Sequence, residues 1–106
     1  MKNWLIRLVK TMKRSKEAII TKVLEICIDG ASKTAIVYQA NLNFHTVIVY
    51  IDMLIERQML EKIDSRPVTY RTTSNGLKLM EDLKSIRSKI PEIYNFPASG
   101  KNLALL

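Results

Sequence analysis

The sequence predicts a mostly helical α+β fold with four core helices and one small β-hairpin. It adds an N-terminal helical extension and gives the last helix a role in dimerisation. Three observations predict this. Apolar residues recur at spacings of three and four through four segments, while only two short runs have the alternating character of strands. A Ser, Thr or Asn able to cap a helix stands before each of those four segments. The chain has 106 residues, the length of one domain, with 47% hydrophobic and 25% charged residues, as in an ordinary globular protein.

The first 16 residues hold Lys2, Arg7, Lys10, Lys13, Arg14 and Lys16 and no acid, six of the chain's seven net positive charges. Trp4, Leu5, Leu8, Val9 and Met12 recur at helical spacing, opposite Arg7, Lys10 and Arg14. Residues 1–14 therefore read as a short basic amphipathic helix, or as an extension frayed or packed on the body. Arg7 and Lys10 interrupt the apolar run and no Ala-x-Ala follows, unlike a signal peptide.

Ser15 caps the next helix, with Glu17 in the first turn where the helix dipole favours an acid. Ala18, Ile19, Val23, Leu24, Ile26 and Cys27 form its apolar face, and Asp29-Gly30 stops it. Cys27 reads as a small core residue. Ser32 caps a shorter helix through Ala40, with Ala35, Ile36 and Ala40 inward and Tyr38 at the edge. Asn41-Leu42-Asn43 is a turn with Leu42 pinned inside. Asn43 caps a third helix from Phe44 to about Gln58, whose inward stripe is Phe44, Val47, Ile51, Leu54 and Ile55. Its outward positions include His45, Thr46, Ile48, Val49 and Asp52, with Tyr50 at the core edge.

Met59–Asp64 and Val68–Thr72 are strands joined by the turn Ser65-Arg66-Pro67. Thr73 or Ser74 caps a fourth helix from about Asn75 to Ile90. Leu79, Leu83, Ile86, Ile90 and Ile93 form a heptad seam about two repeats long, interrupted by Pro91. The tail from Asn95 holds Pro97, Ser99 and Gly100. These features divide the chain into an extension (1–14), a head (15–73), a C-terminal helix with a dimer contact (74–94) and a tail (95–106).

Three helices, a tight turn between the second and third, and a hairpin give the order of a winged helix-turn-helix. In that arrangement the third helix keeps one face free at a width that fits the major groove. The stretch from Ser32 to Phe44 resembles the archaeal winged-helix DNA-binding proteins of the ten-kilodalton chromatin type, most specifically at Tyr38-Gln39-Ala40-Asn41-Leu42-Asn43. Leu54–Leu60, Tyr70-Arg71-Thr72-Thr73 and Asn75-Gly76-Leu77 resemble the same family, over residues 15–90 in all. The resemblance implies a homodimer joined by antiparallel C-terminal helices, two heads binding double-stranded DNA, no enzyme activity and no cofactor. This chain departs from the family in its short seam, broken at Pro91, and in a third helix without a Lys or Arg anywhere between Lys33 and Arg57.

Lys33 and Thr34, at the start of the second helix, are candidate phosphate contacts. Asn43, His45 and Thr46 open the third helix towards a groove. Arg66 stands at the hairpin tip, and Arg71 either joins the DNA contacts or pairs with Glu61 or Asp64 across the hairpin. Lys10, Lys13, Arg14 and Lys16 add nonspecific phosphate contacts. The expected partners are double-stranded DNA and a second copy of the chain, in a cytoplasmic, nucleoid-associated setting, with no small-molecule substrate. The expected role is transcription regulation or nucleoid association. A protein–protein adaptor is the alternative, favoured by the apolar Ile48 and Val49. Membrane attachment through the basic N-terminus is the weaker one.

An enzyme is not expected, since one His and scattered acids make no acid–base constellation and there is no Gly-rich phosphate loop. One Cys and one His leave no disulfide framework and make a protein-built zinc site unexpected. No apolar run approaches the roughly 20 residues that span a bilayer.

Overall fold

A computed structural model describes residues 15–94. The expectations for residues 1–14 and 95–106 lie outside the described residues. Four helices follow in order: α1 (Lys16–Ile26), α2 (Lys33–Ala40), α3 (Phe44–Glu56) and α4 (Ser74–Lys89). Between α3 and α4 stand β1 (Leu60–Ile63) and β2 (Thr69–Thr72), and a 3-10 turn (Pro91–Tyr94) follows α4. The mostly helical α+β fold read from the sequence is the fold observed.

Each helix begins at a side chain that satisfies one of its otherwise unpaired N–H groups. Ser15 Oγ accepts from Ala18 N at 3.1 Å, and Ser32 Oγ from Ala35 N at 3.2 Å. Asn43 Oδ1 accepts from Thr46 N at 2.7 Å, and Thr73 Oγ1 from Gly76 N at 3.1 Å. The helix ends are equally local in origin. Asn41 caps α2 in the left-handed conformation (φ 57°), which asparagine adopts at low cost. Gly30, at φ 92°, turns the chain between α1 and α2. The third helix spans its whole apolar stripe and stops just before Gln58, because Arg57 caps it and Gln58 turns left-handed (φ 64°) to start the hairpin.

The core lies where α1, α2, α3 and the hairpin meet. Val23, Leu24 and Cys27 of the first segment pack with Ile36, Val47, Ile51, Leu54, Leu60 and Tyr70, all buried. Burying each large aliphatic side chain contributes about 1.5–3 kcal/mol, which makes the Val47, Ile51 and Leu54 stripe the main force docking α3. Burial also pushes the Cys27 thiol up to about 12. Tyr50 is half-buried at the core edge, and its hydroxyl is raised by burial first and by the Glu17 charge second.

One inward and one edge assignment need correction. Phe44 is exposed, because as the first residue of α3 it precedes the turn at which the helix closes on the core. Tyr38 is not an edge residue but is open to solvent, since Ile36 and Ala40 define the buried side of α2 and position 38 falls opposite.

The hairpin is antiparallel, with Leu60 opposite Thr72, Glu61 opposite Arg71, Lys62 opposite Tyr70 and Ile63 opposite Thr69. It is fixed to the helices by three contacts that sequence pattern alone does not reveal. Ala31 and Tyr70 exchange both backbone hydrogen bonds (3.0 and 2.8 Å), so the loop before α2 adds a one-residue third strand. Thr72 N donates to Cys27 O at 3.0 Å, and the buried Thr72 Oγ1 donates to Leu24 O at 2.7 Å. Thr73 Oγ1 donates to Gln58 O at 2.7 Å, and its N–H to Met59 O at 3.0 Å. At this junction Gly76 lies so close to the Met59 carbonyl and the Thr72 methyl that no Cβ fits.

The fourth helix packs along α1. Leu83 is buried and Leu79 is half-buried against the chain's own core. A cleft of about 280 Å³ between α1 and α4 is lined by Thr21, Glu25, Leu77, Met80, Glu81, Lys84 and Arg87.

Candidate nucleic-acid interface

The tight turn from α2 into α3 sets the geometry of the site. Leu42 packs against the core, and Asn43 starts the next helix. The apolar stripe then holds α3 by one side, leaving the other uncovered. On that free side His45, Val49 and Asp52 are exposed, and Thr46 and Ile48 are half-buried. Phe44 and Val49 are each 51% exposed and Tyr38 of α2 is 86% exposed. Asn43 is exposed, but its Oδ1 is occupied by the cap, so only its NH2 remains to donate to a ligand.

Beside the helices, the start of α2 and the hairpin enclose an open groove of about 350 Å³. Ser32, Lys33, Thr34, Lys62, Pro67, Val68 and Tyr70 line it. Lys33 is half-buried, with its ammonium 6.0 Å from the centroid of the Tyr70 ring, at the outer reach of a cation–π contact. Lys62 comes from the opposite wall of the same groove. Two ammonium groups and the uncapped N–H groups at the start of α2 give the groove an anion-binding character. At the tip, Ser65 Oγ donates to Pro67 O at 2.7 Å, and Arg66 is exposed beside it.

The winged helix-turn-helix family matches residues 13–90 of the chain. The chain belongs to this family. Two similar solved structures share the fold of this winged helix. One is Sso10a-2, a DNA-binding protein from Sulfolobus solfataricus, at 22% identity and a TM-score of 0.62, covering 88% of this chain and 97% of the other. The other is BpsR of Bordetella bronchiseptica, whose DNA binding is regulated by 6-hydroxynicotinic acid. It matches at 22% identity and a TM-score of 0.63, covering 83% of this chain and 68% of the other. No curated protein matches the sequence.

The winged helix distributes the sequence-derived site residues over three places. Lys33 and Thr34 line the groove, while Asn43, His45 and Thr46 occupy the first turn of α3. Arg66 is at the hairpin tip, and Arg71 lies exposed opposite Glu61, the cross-strand position its pairing would need. Lys16 is exposed in the first turn of α1 and is not among the residues that line the groove. Lys10, Lys13 and Arg14 lie outside the described residues. In the seam, Ile86 and Ile90 are exposed, while Leu79 and Leu83 engage the chain's own core. Ile93 falls in the 3-10 turn.

Sequence inspection missed Lys62 and placed Tyr38 at the edge rather than in the open. Lys62 becomes a site residue only through the hairpin register, which places it opposite Tyr70. The position of Tyr38, two residues after the buried Ile36, was the available signal for its exposure. Among the described residues there is no group of three or more His, Cys, Asp or Glu side chains that could hold a metal ion. Among them, too, no helix is long and apolar enough to cross a membrane.

Proposed function

We propose that the chain binds double-stranded DNA as a homodimer and acts as a transcription regulator or nucleoid-associated protein in the cytoplasm. The observation that carries this reading is the pairing of Lys33 and Lys62 in one groove beside an uncovered α3. The groove suits a backbone phosphate, and α3 suits the major groove. Support also comes from the likeness to two proteins whose DNA binding is stated.

Lys33, Thr34, Asn43, His45, Thr46 and Arg66 make the contacts of the head, with Lys62 added and Arg71 shared with Glu61. The extension, residues 1–14, supplies nonspecific attraction through Lys10, Lys13 and Arg14, joined by Lys16. The second copy docks on the far part of α4, where Ile86 and Ile90 are uncovered. Catalysis has no part in this reading.

The test is fluorescence anisotropy on a labelled duplex of about 30 base pairs across a salt series. Each phosphate neutralised adds roughly 0.9 to the slope of log affinity against log salt. A steep slope is the expected result. Absence of binding at low salt replaces this reading with the protein–protein adaptor, which the exposed Tyr38, Phe44 and Val49 favour.

A further inference from the structure

The first, second and sixth residues of α3 are Phe44, His45 and Val49, the part of a second helix that meets base edges in a helix-turn-helix. Two of these three are apolar, and both are half open to solvent at 51%. Nothing on this face suits the usual readout of guanine, because no Lys or Arg occurs between Lys33 and Arg57. The amide at its start is partly committed, since Asn43 Oδ1 accepts from Thr46 N and its NH2 alone is left to donate. The cations near the site lie apart from the face, in the groove and hairpin, where phosphates are the matching groups. The layout is an apolar centre served by a separate cationic groove. A duplex has the complementary layout, with phosphates along its edges and one apolar group on the floor of its major groove, the C5-methyl of thymine.

We infer that the outward face of α3 reads thymine by its C5-methyl group, through Val49 and Phe44, and that the protein prefers A·T-rich duplexes. This rests on the DNA-binding reading above and names the class of sequence that reading leaves open. Contact with methyl groups removes apolar area from water on both partners, which no phosphate contact would do for Val49 or Phe44. His45 adds a hydrogen bond to a purine N7 acceptor. Asp52 accepts only, and repels phosphates.

The experiment compares two duplexes of about 30 alternating base pairs, one built from dA and dT and the other from dA and dU. They differ in the methyl groups alone. The full chain binds both at low salt, and each methyl removed from the interface weakens binding about fourfold, the effect of one buried carbon. With Val49→Ala or Phe44→Ala the dT-to-dU ratio falls towards one. Arg66→Ala weakens both duplexes alike and keeps the ratio. Equal wild-type affinity for the two duplexes overturns the inference while leaving DNA binding intact. So does a ratio unchanged in both α3 variants, whose exposed side chains are outside the core and whose folding is checked by circular dichroism. Failure of the wild type to bind either duplex overturns the DNA-binding reading and the inference together.

Discussion

The outward face of α3 and the groove between α2 and the hairpin lie in one head but have opposite chemistry. The face carries Phe44, Ile48 and Val49 with one acid, Asp52, and no cation. The groove is lined by both Lys33 and Lys62, with the Lys33 ammonium over the Tyr70 ring. The head as a whole is close to neutral. Residues 15–73 hold seven Lys and Arg against seven Asp and Glu, whereas residues 1–14 hold five cations and no acid. The proposed DNA-binding reading therefore gives attraction to a polyanion and discrimination between sequences to different parts of the chain. In the proposed reading, charge on the extension and in the groove sets how tightly a duplex is held. In the same reading, shape and apolar surface on α3 set which duplex is preferred.

Removing residues 1–14 should have the greatest consequence. It deletes five positive charges, so DNA affinity at low salt should drop by about a hundredfold or more. The salt slope should fall by roughly 0.9 for each phosphate that is no longer neutralised. The preference between dT and dU duplexes should survive, because the truncation leaves α3 intact. Anisotropy on the truncated chain checks both, and disappearance of the preference would show that the two functions are not separable.

Next comes the junction that holds the hairpin to the helices. Gly76→Ala forces a Cβ against the Met59 carbonyl and the Thr72 methyl. It should destabilise the fold by about 1–3 kcal/mol, the usual cost of overpacking, as seen in urea unfolding. Lys33→Ala with Lys62→Ala should then cost roughly tenfold in DNA affinity and lower the salt slope by about 1.8, with stability unchanged. A change confined to one sequence class would instead make these lysines part of the discrimination.

Thr72→Val keeps the shape but deletes the hydrogen bond from Thr72 Oγ1 to Leu24 O. It should cost about 1 kcal/mol of stability, and DNA affinity only through that destabilisation. Cys27 is silent at pH 7. Its thiol is raised from 9.0 to about 12 by burial, so the folded state favours the neutral form. The corresponding stability is complete below pH 9 and is lost as pH rises from about 9 towards 12. Melting curves of wild type and Cys27→Ala between pH 8 and 11 should converge as that contribution disappears.

Much of this architecture is legible in the residues themselves. Ser15, Ser32, Asn43 and Thr73 announce helix starts because a cap is a local bond spanning three residues. The stripe of Val47, Ile51 and Leu54 announces the docked side of α3 for a similar reason, since its period is written in adjacent turns. What escapes the sequence is contact over distance. The bond from Thr72 to Leu24 crosses 48 positions, and the bridge at Ala31 is a single residue with no period to detect. Phe44 has the right spacing for the core, but its place before the first closed turn leaves it outside. The groove follows the same rule. Lys33 is legible as a phosphate contact from its helix start, but its neighbour Lys62 emerges only once the strands are in register.

The closed register of the hairpin has a consequence for how such a protein can diversify. Ile63 and Thr69 already face one another across the ladder, and residues 64–68 beyond them are exposed throughout. The ends of that segment are held together by pairing that does not depend on its length. Extra residues between Asp64 and Val68 would add only the slowly growing entropy of a longer loop, about 0.6 kcal/mol for each doubling. The tip is therefore a natural grafting point. New reach or new chemistry can be spliced in there, while the framework that aims it is inherited unchanged.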